Sequence, residues 1–343
     1  MAAKTALSPH GIALNPSGAA LSPHGADLVT ERATRARRYV EASKSENTRR
    51  SYESHMNDFK AFCAERGYAA LPALPAAVVD YLTFLADIGA KFSTIQVKAS
   101  AISYAHRAAK QPNPIKAIEV QETMRGIRRV VGMAQQGKAP LVLDDIRHLI
   151  DQLPEGLRGD RDKAILLVGF GGAFRRSELV AITVADIKFE RDRAVIHLRQ
   201  SKTDQEGRGM TKILPVLKDA PGRLCPVAAL KNWMAAASIT EGVVFRPISR
   251  YGTVLNRIMN PQEIARITKK YCKLAGLDEA LFSGHSLRAG YVTEAADHDQ
   301  PLWKIKQQTG HKSDQVLQRY IRDQGRGGID ATRSVFGDGS TDK

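Results

Sequence analysis

The sequence predicts a mainly α-helical protein with one small antiparallel β-sheet, divided into two domains. Three observations carry this expectation. Apolar residues recur at helical spacing along most of the chain, while RAVIHLR (193–199) and TKILPV (211–216) read as strands. The 343 residues amount to about two domain lengths. A Gly- and Gln-bearing stretch, GMAQQGKAPL at 132–141, parts an all-helical first region from a second region of mixed character.

The elements follow in chain order. Residues 1–30 are rich in Ala, Gly, Ser and Pro, with LSPHG at 7–11 echoed at 21–25, and read as a flexible arm. Ser45 or Asn47 caps a helix through Arg66, with Tyr52, Met56, Phe59 and Phe62 on its apolar stripe. A second helix is expected over 76–88, with Val78, Leu82 and Leu85 inward, and a third, capped by Ser93, through Ala109. A fourth spans 115–131, with Val120, Met124, Ile127 and Val131 inward and Arg125, Arg128 and Arg129 outward. Residues 31–131 thus form a small helical domain, 132–141 a linker and 142–343 the second domain. There, helices are expected at 143–153, 160–173 and 176–182. Two strands follow, joined by the polar hairpin SKTDQEGRG, and then helices at 226–237, 261–275, 285–297, 301–308 and 314–322. No GxGxxG or Walker A sequence supports a parallel nucleotide-binding sheet.

With 51 Lys+Arg against 36 Asp+Glu, the formal charge is +15 on a chain that is 43% hydrophobic. A folded protein of this charge favours polyanions, nucleic acid first and anionic membrane second. Cys63, Cys225 and Cys272 are too few and too far apart for a disulfide framework or paired zinc ligands. The apolar run at 164–174 has 11 residues, three of them glycine, whereas a membrane span needs about 20. The N-terminus carries Lys4 without the apolar run of a signal peptide, so a cytoplasmic, nucleoid-associated location is expected.

Several polar residues could do chemistry. Arg175 and Glu178 are three apart at a helix start, Lys202 follows a strand, and His285 and Arg288 are again three apart. His311 lies in a TGH turn, and Tyr320 comes nine residues later. Singly, these read as a surface ion pair, a solvated lysine and a core tyrosine. As a set they suit transfer of a phosphodiester without a metal ion. Arginine forks bind nonbridging oxygens, a lysine protonates a leaving alkoxide, and a tyrosine attacks phosphorus.

The order and wording of these motifs strongly resemble the tyrosine recombinase (phage integrase) family, in layout its Cre-like and Xer-like members. The resemblance rests on AFRRSELVAITVADI, SKT, CPVAAL, SGHSLRAG, TGHKS and RYIRD, and covers residues 40–325. It implies a C-shaped clamp in which a SAM-like core-binding domain and a catalytic domain hold duplex DNA from opposite sides. It also implies that Tyr320 forms a 3′-phosphotyrosyl link and frees a 5′-hydroxyl, while Arg175 and Arg288 hold the phosphate with Glu178 as support. Lys202 becomes the general acid, His285 assists proton transfer at the tyrosine, and His311 contacts the phosphate or orders the pocket. Neither cofactor nor metal is expected. The implied partner is double-stranded DNA with inverted-repeat half-sites, bound by a dimer per site and a homotetramer on two sites, with strands exchanged through a Holliday junction. Candidates for DNA contact are Arg49, Arg50, Lys91, Lys98, Arg125, Arg128 and Arg129. His311 stands where some Cre-like members have Trp, and the sequence shows no separate arm-binding domain. The rivals are a type IB topoisomerase, a DNA-binding regulator with a decayed pocket, and a metal-dependent nuclease built on His285 and His311. Tyr291 is the next candidate nucleophile.

Overall fold

Ser45 opens the first helix because its hydroxyl accepts from the Thr48 amide, and Gly67 closes it in the left-handed region at φ 72°. This helix, α1 (Glu46–Arg66), buries Met56, Phe59, Phe62 and Cys63. It begins a computed structural model that describes residues 45–132, 138–199, 209–217, 223–311, 313, 314 and 317. The described residues fall into two compact units, which divide between residues 135 and 136.

The first unit continues with α2 (Pro75–Asp87), α3 (Phe92–Ala108) and α4 (Ile118–Val131). Helices α1 and α3 run antiparallel, since Tyr52 packs at a tilt against Tyr104 (5.4 Å between centroids) and Asp58 meets Lys98. Phe59 and Phe62 pack on Tyr81 of α2. His106 is a core histidine with both nitrogens used: Nε2 accepts from the Ala73 amide (2.9 Å) and Nδ1–H donates to Ile102 O (2.8 Å). Three expectations need correction here. Lys91, not Ser93, is the N-cap of α3, and its side chain makes no cap bond. Residues 114–116 form a separate 3-10 turn, because proline suits the start of a helical turn and Ala117 then breaks to extended backbone. Val131 is exposed in the last turn of α4, where the helix has run past the core.

The second unit holds α5 (Leu143–Asp151), α6 (Leu157–Gly171), α7 (Arg176–Ala181), β1 (Ile187–Phe189), β2 (Arg193–Leu198) and β3 (Met210–Pro215). It continues with α8 (Pro226–Ala236), α9 (Pro261–Leu274), α10 (Ser286–Asp297) and α11 (Leu302–Thr309). The sheet is antiparallel in the order β1-β2-β3, with Ile187 opposite Ile196 and Ile196 opposite Lys212. β1 escapes the sequence reading because three residues are too few to show alternation.

Helix α6 is the central element, burying Ala164, Ile165, Leu166, Leu167 and Val168. Trp233 fills the space beside it and donates its indole N–H to Val244 O (2.9 Å). Residues 139 and 141 also belong here, through Ala139 N–H to Leu281 O and Leu141 N–H to Ser286 O. Gly290 lets α10 lie on that backbone, since a Cβ there would stand 1.7 Å from Leu141 O. All three cysteines are buried and free. No helix among the described residues is long and apolar enough to cross a membrane.

Candidate active site

Side chains from two other segments of the second unit, α10 and β3, converge on one backbone carbonyl. After α6 the chain turns through Ala173, whose φ of 47° is left-handed and unusual for a residue with a Cβ. Its carbonyl accepts from Arg288 Nη1 (2.8 Å) and from Lys212 Nζ (3.3 Å). Arg288 lies in the first turn of α10 and is 1% exposed. Its Nη2 reaches His311 Nε2 (3.2 Å), just past the Gly310 turn that ends α11. The Thr309 hydroxyl donates to Ile305 O, so it accepts from His311 Nδ1–H (2.8 Å). This arrangement assigns the proton to Nδ1 and leaves Nε2 as the acceptor facing Arg288.

Arg175 precedes α7. The Glu178 carboxylate accepts from its amide (2.9 Å) and from its guanidinium (2.5 Å), so one acid both caps the helix and aims the arginine. Glu178 is buried, while the Arg175 side chain keeps 18% of its surface. His285 is the N-cap residue of α10, beside Arg288, Arg175 and Arg176. The structure therefore brings together five of the seven residues expected from sequence. Lys202 and Tyr320 lie outside the described residues. Leu317, three residues before Tyr320, is buried against Val292 and Ile305, one helical turn beyond Arg288. Tyr291 packs edge-on against Phe170, and burial raises its pKa.

Residues 141–326 match the model of the phage integrase family. The chain belongs to the phage integrase family. An integrase/recombinase XerD homologue from Selenomonas ruminantium is 42% identical over 291 residues, which cover 84% of each chain. Tyrosine recombinase XerC from Syntrophus aciditrophicus is 28% identical over 300 residues, covering 82% of this chain and 88% of the relative. In fold, the chain is similar to the XerH site-specific recombinase bound to palindromic difH substrate, with a TM-score of 0.57 at 15% identity, over 76% of this chain and 72% of that one. The chain is a tyrosine site-specific recombinase.

Sequence reading missed Lys212, which is fully buried in this recombinase. Its strand register carries the signal: Met210, Lys212 and Leu214 share the inward face, while Ile213 points out and is 44% exposed. Burial lowers the Lys212 pKa to about 7, with Arg288 and Arg175 adding to the shift and Glu178 opposing it. Burial and the cations Arg288 and Arg175 also lower His285, and they push His311 down to about 3. Both imidazoles are therefore neutral at pH 7 in the protein without DNA. Among the described residues, no three His, Cys, Asp or Glu side chains gather as metal ligands do.

These shifts predict a pH dependence of stability. An unfolded Lys212 has the ordinary pKa of 10.5, so between pH 7 and 10.5 the unfolded chain holds a proton that the folded one has released. Stability from this group is flat below pH 7 and rises with pH through that window. His311 acts likewise between pH 3 and its ordinary 6.5, so its share of stability falls as the pH drops through that range. Thermal melts from pH 7 to 10 should show the rise in the wild type and lose it in Lys212→Met. An identical rise in both would remove Lys212 as its source.

The basic candidates of the first unit separate on inspection. Arg49, Lys91, Arg128 and Arg129 are exposed; Arg50 is exposed and paired with Glu46, and Arg125 with Glu122. Lys98 is less exposed than the others. Its side chain is 13% exposed and its charge meets Asp58, whose carboxyl it holds below the usual range. It staples α1 to α3. The antiparallel pairing of those helices also puts exposed Arg107 and Lys110 at the same end as Arg49 and Arg50. That grouping depends on helix pairing and is invisible in the linear sequence.

Proposed function

We propose that the pocket holds the scissile phosphodiester of duplex DNA and that Tyr320 cleaves it. One observation carries this reading. Arg175, Arg288 and Lys212 are gathered in one buried site beside Glu178, a cluster of cationic side chains that an oxyanion complements. Such cations are costly to bury unless an anion joins them. A phosphodiester supplies that anion, and its charge grows in the pentavalent transition state.

The chemistry balances without an external reactant. Tyr320 Oη attacks phosphorus and loses its proton to neutral His285, while the bond to the 5′-oxygen breaks and Lys202 protonates that oxygen. Arg175 and Arg288 hold the nonbridging oxygens, and His311, with its proton on Nδ1, fixes the guanidinium of Arg288 from behind. The ester energy is retained in a 3′-phosphotyrosine, so a 5′-hydroxyl from another strand reverses the reaction without ATP or metal. The first domain contacts DNA through Arg49, Arg50, Lys91, Lys98, Arg125, Arg128 and Arg129. Four protomers on two inverted-repeat sites exchange strands through a Holliday junction.

Replacing Lys202 tests the acid. Lys202→Ala should cleave an ordinary duplex about 10²–10⁴-fold more slowly, the usual loss for a positioned general acid. A substrate with sulfur at the 5′ position has a leaving group that needs no proton and should recover most of the rate. The assay is run in excess EDTA without nucleotide. No recovery with sulfur would remove Lys202 as the acid. A plasmid with two sites adds the second half of the test, because recombination yields excised or inverted products while a topoisomerase yields relaxation alone.

A further inference from the structure

Lys212 has no assigned part in this chemistry, yet it is fully buried in the pocket. An inward-facing strand position between Met210 and Leu214 suits a leucine or methionine, and a lysine there loses its hydration. Its stem instead runs past the Phe174 ring, with Nζ 5.1 Å from the centroid, to two carbonyls. One is Ala173 O, at the left-handed turn before Arg175, and the other is Gln308 O, near the end of α11. Ala173 O is also the acceptor that holds Arg288 Nη1. The Gln308 side chain repeats the connection, since its Nε2 donates to Gly171 O (3.0 Å) and to Ile213 O (2.9 Å).

We propose that Lys212 is a positioning residue for the phosphate-binding arginines: its Nζ fastens the Ala173 carbonyl, and Arg288 with it, to the end of α11 that delivers His311. The inference rests on the reading of the pocket as the scissile-phosphate site. Lysine suits the task because it reaches across from β3 and offers several N–H donors and no acceptor. The amine keeps two donors after losing a proton, so the tie to both carbonyls survives the titration near neutral pH. The same bonds aim Nζ at backbone and leave proton donation to Lys202. Without Lys212, Ala173 O loses one of its donors, and the end of α11 keeps only its side-chain attachments to β3 through Gln308 among the bonds described. The guanidinium is then no longer fixed where the phosphate arrives.

The test compares wild type and Lys212→Met on a nicked duplex that traps the covalent intermediate. The duplex carries an ordinary phosphodiester, a methylphosphonate or a 5′-sulfur at the scissile position. A small misplacement of Arg288 should slow cleavage of the phosphodiester by about 10–100-fold, with DNA affinity unchanged. On the methylphosphonate, which lacks the charge that Arg288 neutralises, most of the difference should vanish. The 5′-sulfur should not restore the rate. A wild-type rate in Lys212→Met, or an equal defect on the phosphodiester and the methylphosphonate, overturns the proposal. Recovery with sulfur also overturns it and makes Lys212 the proton donor. If Lys212→Met does not fold, Gln308→Leu replaces it. That variant should show a smaller defect that again vanishes on the methylphosphonate, and a wild-type rate there counts against the proposal. A wild type that forms no adduct on the phosphodiester points instead to failure of the underlying reading of the pocket.

Discussion

Arg288→Ala should lower single-turnover strand cleavage by about 10³-fold, the scale of losing one transition-state donor in a site closed to water. Arg288 is 1% exposed and stands between the Ala173 carbonyl and His311. Its loss therefore removes the guanidinium proposed to neutralise the phosphate. The fold should survive, because Arg288 is one of several like charges in the pocket and lowers the pKa of both Lys212 and His311. Removing it relieves that repulsion, and Ala173 O keeps its bond to Lys212. A histidine titration followed by NMR should show His311 moving up from about 3 toward its ordinary value. Arg288→Lys should not restore activity, since a point charge does not reproduce two-point binding of a phosphate. Full activity in Arg288→Ala would mean that the phosphate lies elsewhere.

Tyr320→Phe should abolish cleavage, by at least about 10⁵-fold, as removal of a covalent nucleophile does. Deleting one hydroxyl leaves the charge distribution intact, so binding to the recombination site should match the wild type in a mobility-shift assay. The motivation is local as well as sequential: Leu317 holds the chain three residues earlier against Val292 of α10. Tyr291→Phe should remain active, since that ring packs on Phe170 and burial raises its pKa, which disfavours the phenolate. Adduct formation by Tyr320→Phe would transfer the nucleophile's role to Tyr291.

The parts legible in the sequence were those decided by local spacing. Ser45 and its hydroxyl start α1, the stripe Val78, Leu82 and Leu85 is buried as its period demands, and the Glu178 carboxylate reaches Arg175 across one helical turn. Features decided by pairing were not legible. Lys98 looks like a solvent-facing cation until α3 is laid against Asp58 of α1. Lys212 looks like an ordinary strand lysine until its register sets it opposite Ile196 on the buried face. The meeting of Arg288 with the Ala173 carbonyl joins residues more than a hundred positions apart. No periodicity records such a contact, and none records the tautomer of His311, which follows from a threonine hydroxyl already committed to Ile305 O.

The most direct test of the account is to identify the residue and the DNA end joined in the trapped intermediate. A nicked duplex, which loses its short 5′-hydroxyl fragment, is incubated with the wild-type protein, digested, and its DNA-linked peptide sequenced by mass spectrometry. The account predicts one peptide containing QRYIRD, with Tyr320 esterified to a 3′-phosphate. A link through any other residue, a 5′-phosphate linkage, or cleavage with no covalent adduct would contradict it.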